Sequence, residues 1–197
     1  MLLDFKIGIQ GDNPCGVKIV DGFLTAEVRL VRGVTFCNFP RITAIDLDFQ
    51  NCAFEDCDQI SFTGGQVENC RFHRLETLYL ENANLQDCTL RHLWTDNHCV
   101  IRLEDGSING CVFNDVRLEN NSYLCDAVGD VYVSNCKFKH IRTDRRDKNV
   151  FHCADTVGRI FKRKRERNIV DEESCSGLEW VTGLDGAIEI GSFRTRF

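Results

Sequence analysis

The chain has 197 residues, 43% of them apolar, which is enough to bury a core and short enough to predict one domain over residues 1–197. Its net charge of −6 is uneven: residues 141–170 hold ten Lys/Arg against four Asp/Glu, a local +6, so the remainder carries −12. No apolar run reaches membrane-spanning length, and Met1–Lys6 lacks a basic start followed by an apolar stretch, so a membrane protein and a secreted disulfide scaffold are excluded and a cytoplasmic protein is expected.

Residues 1–30 alternate apolar and polar side chains at Val17-Lys18-Ile19 and again from Phe23 to Val28. That period of two predicts strands, in an N-terminal cap or an extra coil. From residue 31 to 153 a repeat emerges when the cysteines are aligned. Cys37, Cys52, Cys70, Cys88, Cys111 and Cys136 form a column, spaced 15, 18, 18, 23 and 25 residues apart. Three residues before them stand Val34, Phe49, Val67, Leu85, Ile108 and Val133; two residues after them stand Phe39, Phe54, Phe72, Leu90, Phe113 and Phe138. Three further on come Ile42, Cys57, Leu75, Leu93, Val116 and Ile141, and the next strand recurs as Ile45/Leu47, Ile60/Phe62, Leu78/Leu80 and Ile101/Leu103. Such spacing is too irregular for helical repeats and too short for propeller blades. It predicts an all-β solenoid, a right-handed parallel β-helix of about six or more coils.

Cysteine suits an inward corner because it is small, weakly polar and readily buried. The residue before it is Asn51, Asn69, Asp87, Gly110 or Asn135, types that adopt turn or left-handed backbone. Ala83-Asn84-Leu85-Gln86-Asp87 and Cys88-Thr89-Leu90-Arg91-His92 resemble two units of the pentapeptide-repeat family. Asn51-Cys52-Ala53-Phe54 and Asn69-Cys70-Arg71-Phe72 resemble rungs of pectate-lyase-like β-helix proteins. The resemblance spans residues 30–141 and implies the fold; a strict five-residue period breaks at Phe62-Thr63-Gly64-Gly65.

The coils lengthen toward the C-terminus. Six residues lead from Phe54 to Ile60 and from Phe72 to Leu78, but eleven lead from Leu90 to Ile101 and from Phe113 to Leu124, and about twelve follow Phe138 before the next strand. Three successive coils therefore bulge at one corner, and loops on a rigid scaffold are where function concentrates. The expected interaction ridge comprises Trp94, Asp96, His98, Arg117, Asn120, Tyr123, Arg145 and Arg146. A second outward row, Asp56, Arg74, His92, Asp115 and His140, reads as compensating charges across strands, although His92, Asp115 and His140 are also of ligand type.

Residues 154–197, with Gly177, Gly183, Gly186, Gly191 and Trp180, read as a C-terminal cap containing a basic segment at 159–167: Lys162, Arg163, Lys164, Arg165 and Arg167 could meet an acidic ligand or nucleic acid. Nucleophile-elbow, phosphate-loop and paired-histidine zinc motifs are absent, and Cys52/Cys57 is a close pair without a matching second pair. No catalytic residue, metal or cofactor is therefore assigned. The leading expectation is a non-catalytic interaction or scaffold module with a protein partner, no membrane contact, and self-association through the coil ends. One alternative is an acidic rod resembling duplex DNA, which likeness to gyrase-inhibiting pentapeptide-repeat proteins implies. The other is a carbohydrate-binding or carbohydrate-cleaving β-helix using Asp96, Glu119, Asp126, Arg145 and Arg146.

Overall fold

The computed structural model describes residues 8–10, 15–144, 151–162, 178–182, 189–190 and 193–195, with side chains through residue 152. The described residues contain no helix; the chain winds through stacked parallel strands into a β-solenoid of about five turns. Each coil has three sides. The first is a three-residue strand, as in Asp48–Gln50, Gln66–Glu68, Asn84–Gln86 and Ser107–Asn109. The second and third run together in the tight coils, as Ala53–Thr63 and Arg71–Glu81, and separate in the longer ones, as Thr89–Thr95 and Cys99–Glu104.

Single residues in left-handed backbone make the corners. Asn51 (φ 55°), Asn69 (51°) and Asp87 (52°) turn the chain from first to second side, with Gly33, Gly110 and Asn135 in the equivalent places. Asp46, Gly64, Asn82, Asp105 and Gly129 close the coil between the third and first sides. Asn, Asp and Gly are the types that visit this conformation at least cost, so corner chemistry fixes where each coil bends. Backbone bonds then tie coil to coil: Ala53 N donates to Val34 O at 2.9 Å, Arg71 N to Cys52 O at 2.9 Å and Thr89 N to Cys70 O at 3.0 Å.

Inside the corner the cysteines form a hydrogen-bonded ladder. Cys52 N donates to Cys70 Sγ at 3.4 Å, Cys70 N to Cys88 Sγ at 3.3 Å and Cys88 N to Cys111 Sγ at 3.4 Å. The thiols in turn donate to carbonyls, Cys88 Sγ to Gln86 O at 3.2 Å and Cys111 Sγ to Asn109 O at 3.3 Å. The ten cysteines whose side chains are described are buried, and none of them forms a disulfide. Beside the ladder, Phe36, Phe54 and Phe72 stack with centroids 4.8 and 4.9 Å apart and planes within 11° and 5°. That separation equals the strand spacing, so the repeat itself holds the rings face over face.

The first coil departs from the sequence alignment by three residues. Val31 pairs with Phe49, Phe36 with Phe54, Ile42 with Ile60 and Ala44 with Phe62. Val34, not Cys37, heads the cysteine column, and Ile45, expected inward, is 53% exposed. The cause lies in the spacing: an apolar pattern at intervals of three, two and three residues fits both registers, and Cys37 mimics the column. Corrected, the first three steps of the column, Val34 to Cys52 to Cys70 to Cys88, are each 18 residues. In the fifth coil Cys125, rather than Leu124, pairs with Ile101.

At the N-terminal end Lys18–Val20 and Phe23–Thr25 form an antiparallel hairpin through Asp21-Gly22, both with positive φ, the geometry of a two-residue I′ turn. Gly8–Gln10 lies antiparallel on Thr35–Cys37, which accounts for the burial of Cys37 on the outward face. Together these strands cover an edge that would otherwise offer unpaired backbone. At the other end Phe151–Lys162 pairs in parallel with Tyr123–Ser134 and Leu178–Thr182 with Gly158–Lys162, while Glu189–Ile190 and Phe193–Thr195 lie parallel on Lys137–Phe138 and Ile141–Thr143, so parallel strands of the stack recur as far as residue 195. Arg163, Lys164, Arg165 and Arg167 of the basic segment lie outside the described residues. Among the described residues no helix is long and apolar enough to cross a membrane.

Candidate functional site

The long turns arise between the second and third sides. In the tight coils this step is short, Leu75 to Leu78, whereas later coils go from Leu93 to Ile101, Val116 to Cys125 and Ile141 to Phe151. The second side lengthens accordingly, its strands running to Thr95, Leu118 and Thr143.

These turns brace one another. Trp94, Arg117 and Arg142 occupy the same register on three successive coils. Arg117 Nε donates to Glu119 Oε1 at 2.6 Å, and Trp94 Nε1 approaches Glu119 Oε2 at 3.5 Å. Asn120 Nδ2 donates to Asp96 O at 3.3 Å, while Asn121 N donates to Asp144 Oδ1 at 2.9 Å. Buried Ser122 donates to Asn97 O, and Tyr123 N donates to His98 O at 2.8 Å. Trp94 nonetheless keeps 43% of its surface exposed. A shallow notch of about 160 Å³ opens between Arg117–Asn120 and Arg142–Asp144. The expected ridge residues Trp94, Asp96, His98, Arg117, Asn120 and Tyr123 thus share one corner; Arg145 and Arg146 lie outside the described residues.

The row at Asp56, Arg74, His92, Asp115 and His140 is a corner row, every member in left-handed backbone. Its charges compensate: Arg74 pairs with Asp56, His92 Nδ1 contacts Asp115 Oδ2 at 2.8 Å, and Arg142 lies 3.6 Å from Asp115. His140 Nδ1 turns to Asn114 Oδ1 at 2.8 Å, so His92, Asp115 and His140 do not converge as ligands. These pairs are half-exposed and contribute little stability each.

A second cluster lies on the outer face of the third side, beside the ridge. Arg102, Asp126 and His152 occupy one register on three successive coils. The Asp126 side chain is only 2% exposed, and Arg102 ion-pairs with its Oδ2. His152 Nδ1 donates to Asp126 Oδ1 at 2.7 Å; His98 Nε2, reaching in from the long turn, lies 3.2 Å from Oδ2. The Tyr123 ring sits beside both imidazoles, with centroids 5.3 Å from His98 and 4.8 Å from His152. A buried carboxylate is costly unless charge and hydrogen bonds compensate it, and here three nitrogen-bearing side chains do so. Its field reaches inward too: burial first, then the Asp126 charge, push the Cys99 thiol up to about 12.

One ligand atom from each of His98, Asp126 and His152 lies within 4.8 Å of the others, the one such grouping among the described residues. The sequence names His98 among the ridge residues and Asp126 for the carbohydrate reading, but neither Arg102 nor His152. The available signal was register: Ile101, Cys125 and Phe151 form one inward column, and the next residue of each is Arg102, Asp126 and His152. Comparison with protein-family models, with curated proteins and with solved structures finds no match to this chain.

Proposed function

We propose that the chain is a non-catalytic interaction module in which a rigid β-solenoid presents the ridge of long turns to a protein partner. The observation that carries this reading is the mutual bracing of three successive long turns at one corner, with Trp94, Arg117 and Arg142 in register. Insertions tolerated merely as loops need not bond one another, whereas a binding surface benefits from being held before the partner arrives. Half-exposed Trp and Arg side chains are also the types that anchor protein interfaces.

The acidic-rod alternative would call for an unbroken row of carboxylates, whereas the corner row pairs Asp56 with Arg74 and Asp115 with His92 and Arg142. Ten buried free thiols suit a reducing compartment such as the cytoplasm. The Asn-Cys-x-Phe corners support kinship in architecture with pectate-lyase-like helices, and the basic segment would serve as an auxiliary contact.

The test is site-specific photo-crosslinking in cells, with the photoreactive residue at Trp94 and, as control, at exposed Glu68 on another side of the coil. The reading expects a discrete adduct from position 94, absent from position 68 and lost when Arg117→Glu is added. Equal labelling from both positions, or an adduct insensitive to Arg117→Glu, would overturn it.

A further inference from the structure

We propose that His98, Asp126 and His152 bind a divalent transition ion of the zinc class through His98 Nε2, His152 Nδ1 and one Asp126 carboxylate oxygen. The inference is independent of the partner proposed above. Three features carry it.

The first is convergence. The three donor atoms lie within 4.8 Å of one another, although their residues come from three separate coils. Asp126 and His152 are placed by strand register, and His98 by the long turn that ends at Cys99. In a tight coil no such residue exists, because the second side passes directly into the third.

The second is donor chemistry. Two imidazole nitrogens and one carboxylate suit zinc and neighbouring first-row ions; calcium and magnesium prefer all-oxygen shells. Three protein ligands leave a fourth position for water or an exogenous ligand. The site is not a cysteine-rich one, since Cys99 and Cys125 are buried members of the core.

The third is preorganisation. The Asp126 carboxylate is 2% exposed and anchored from the preceding coil by the ion pair from Arg102 to its Oδ2. Both imidazoles already point at its oxygens, at 2.7 and 3.2 Å, in the contacts that a shared ion would replace. Arg102 is 35% exposed and His152 30%, so the guanidinium can lean outward while keeping its hold on Oδ2, and an ion has a path from solvent.

Asp126 itself is a poor test residue, because removing it would strand Arg102. The two imidazoles are partly exposed, so His98→Gln and His152→Gln should fold. The experiment titrates Co(II), then Zn(II), into the metal-free full-length chain under reducing conditions, reading the visible Co(II) spectrum and competition with a chromophoric chelator. Losing a supporting contact around a metal costs about tenfold or more in affinity, so losing a ligand must cost at least that. The expected result is one tight equivalent, no sulfur-to-cobalt charge-transfer band, and at least about tenfold weaker binding in each histidine variant, with metal-free melting temperatures close to wild type. Absence of a saturable equivalent would overturn the proposal. So would binding unchanged in both variants, or a thiolate band showing that cysteines hold the ion.

Discussion

Replacing Cys88 by Asp, Ala and Ser tests the interior of the corner ladder most directly. Cys88 is 1% exposed; its sulfur accepts from Cys70 N at 3.3 Å and donates to Gln86 O at 3.2 Å and Val67 O at 3.4 Å. Serine keeps a donor for those carbonyls and loses the larger, softer sulfur, a cost of about 1 kcal/mol. Alanine removes the sulfur and leaves a small void, about 1–2 kcal/mol. Aspartate is different in kind. Its carboxylate would face two carbonyl oxygens with one backbone N–H as donor, so its pKa must rise by about 3–5 units, which at pH 7 costs about 4 kcal/mol, the span from the unfolded pKa to neutrality. For a chain of this size that is a drop in melting temperature of about 8 °C or more. Urea denaturation followed by circular dichroism measures the series. A carboxyl with a raised folded pKa is tolerated below its unfolded pKa, where both states are protonated, and becomes progressively destabilising as pH rises from that value toward the folded one. The gap between Asp and Ser variants should therefore narrow at about pH 4.5. Equal stability of the Asp and Ser variants at pH 7 would refute inward-facing, desolvated thiols.

Two further perturbations probe the same scaffold. Burial pushes the Cys57 thiol up to about 11 from an ordinary value near 9, so between those pH values the unfolded chain releases a proton that the folded chain retains. Stability should fall across that window by up to about 1.4 kcal/mol per pH unit from this thiol, and Cys57→Ala should flatten the decline in urea midpoint by that amount; an unchanged slope would contradict the assignment. At Gly65 (φ +81°) an added Cβ would lie 2.3 Å from the Leu47 carbonyl oxygen of the preceding coil, whereas at Gly33 (φ +65°) it would meet nothing within 4 Å. Gly65→Ala should cost about 2–4 kcal/mol and Gly33→Ala about 1, and similar melting temperatures for the two would argue against coil-to-coil contact at that corner.

The parallel stack was legible because side chains that must face a shared interior repeat at fixed offsets, and Cys, Phe and Leu at those offsets leave little freedom. Register at the first coil was not legible. Val31, Val34, Phe36 and Phe39 satisfy the same spacing as Val34, Cys37, Phe39 and Ile42, so apolarity alone could not choose between them. What decides is the corner. The true register puts Gly33 opposite Asn51 and Asp46 opposite Gly64, with positive φ at each. Alignment on turn residues, rather than on the conspicuous cysteines, would have found the 18-residue step.

The ridge was legible for a different reason from the Asp126 cluster. Loop length is visible in sequence as a departure from the repeat, so the bulging coils and Trp94, Arg117 and Asn120 could be found without knowing any contact. The cluster depends on which outward residues share a rung across gaps of 24 and 26 residues, from Arg102 to Asp126 and from Asp126 to His152. Those gaps include two long turns of unequal length, and an error of one residue would send each side chain to the opposite face. Composition offered no warning either, because Asp126 lies in a run, Tyr123-Leu124-Cys125-Asp126-Ala127-Val128, that reads as an ordinary buried strand. A carboxylate in such a run is stable only if its partners arrive from elsewhere. Arg102 arrives from the rung before, His152 from the rung after, and His98 from the turn that the tight coils lack. The same insertion that builds the ridge therefore also supplies the third side chain that closes over Asp126, and a variant restoring the short step between Leu93 and Ile101 would remove both together.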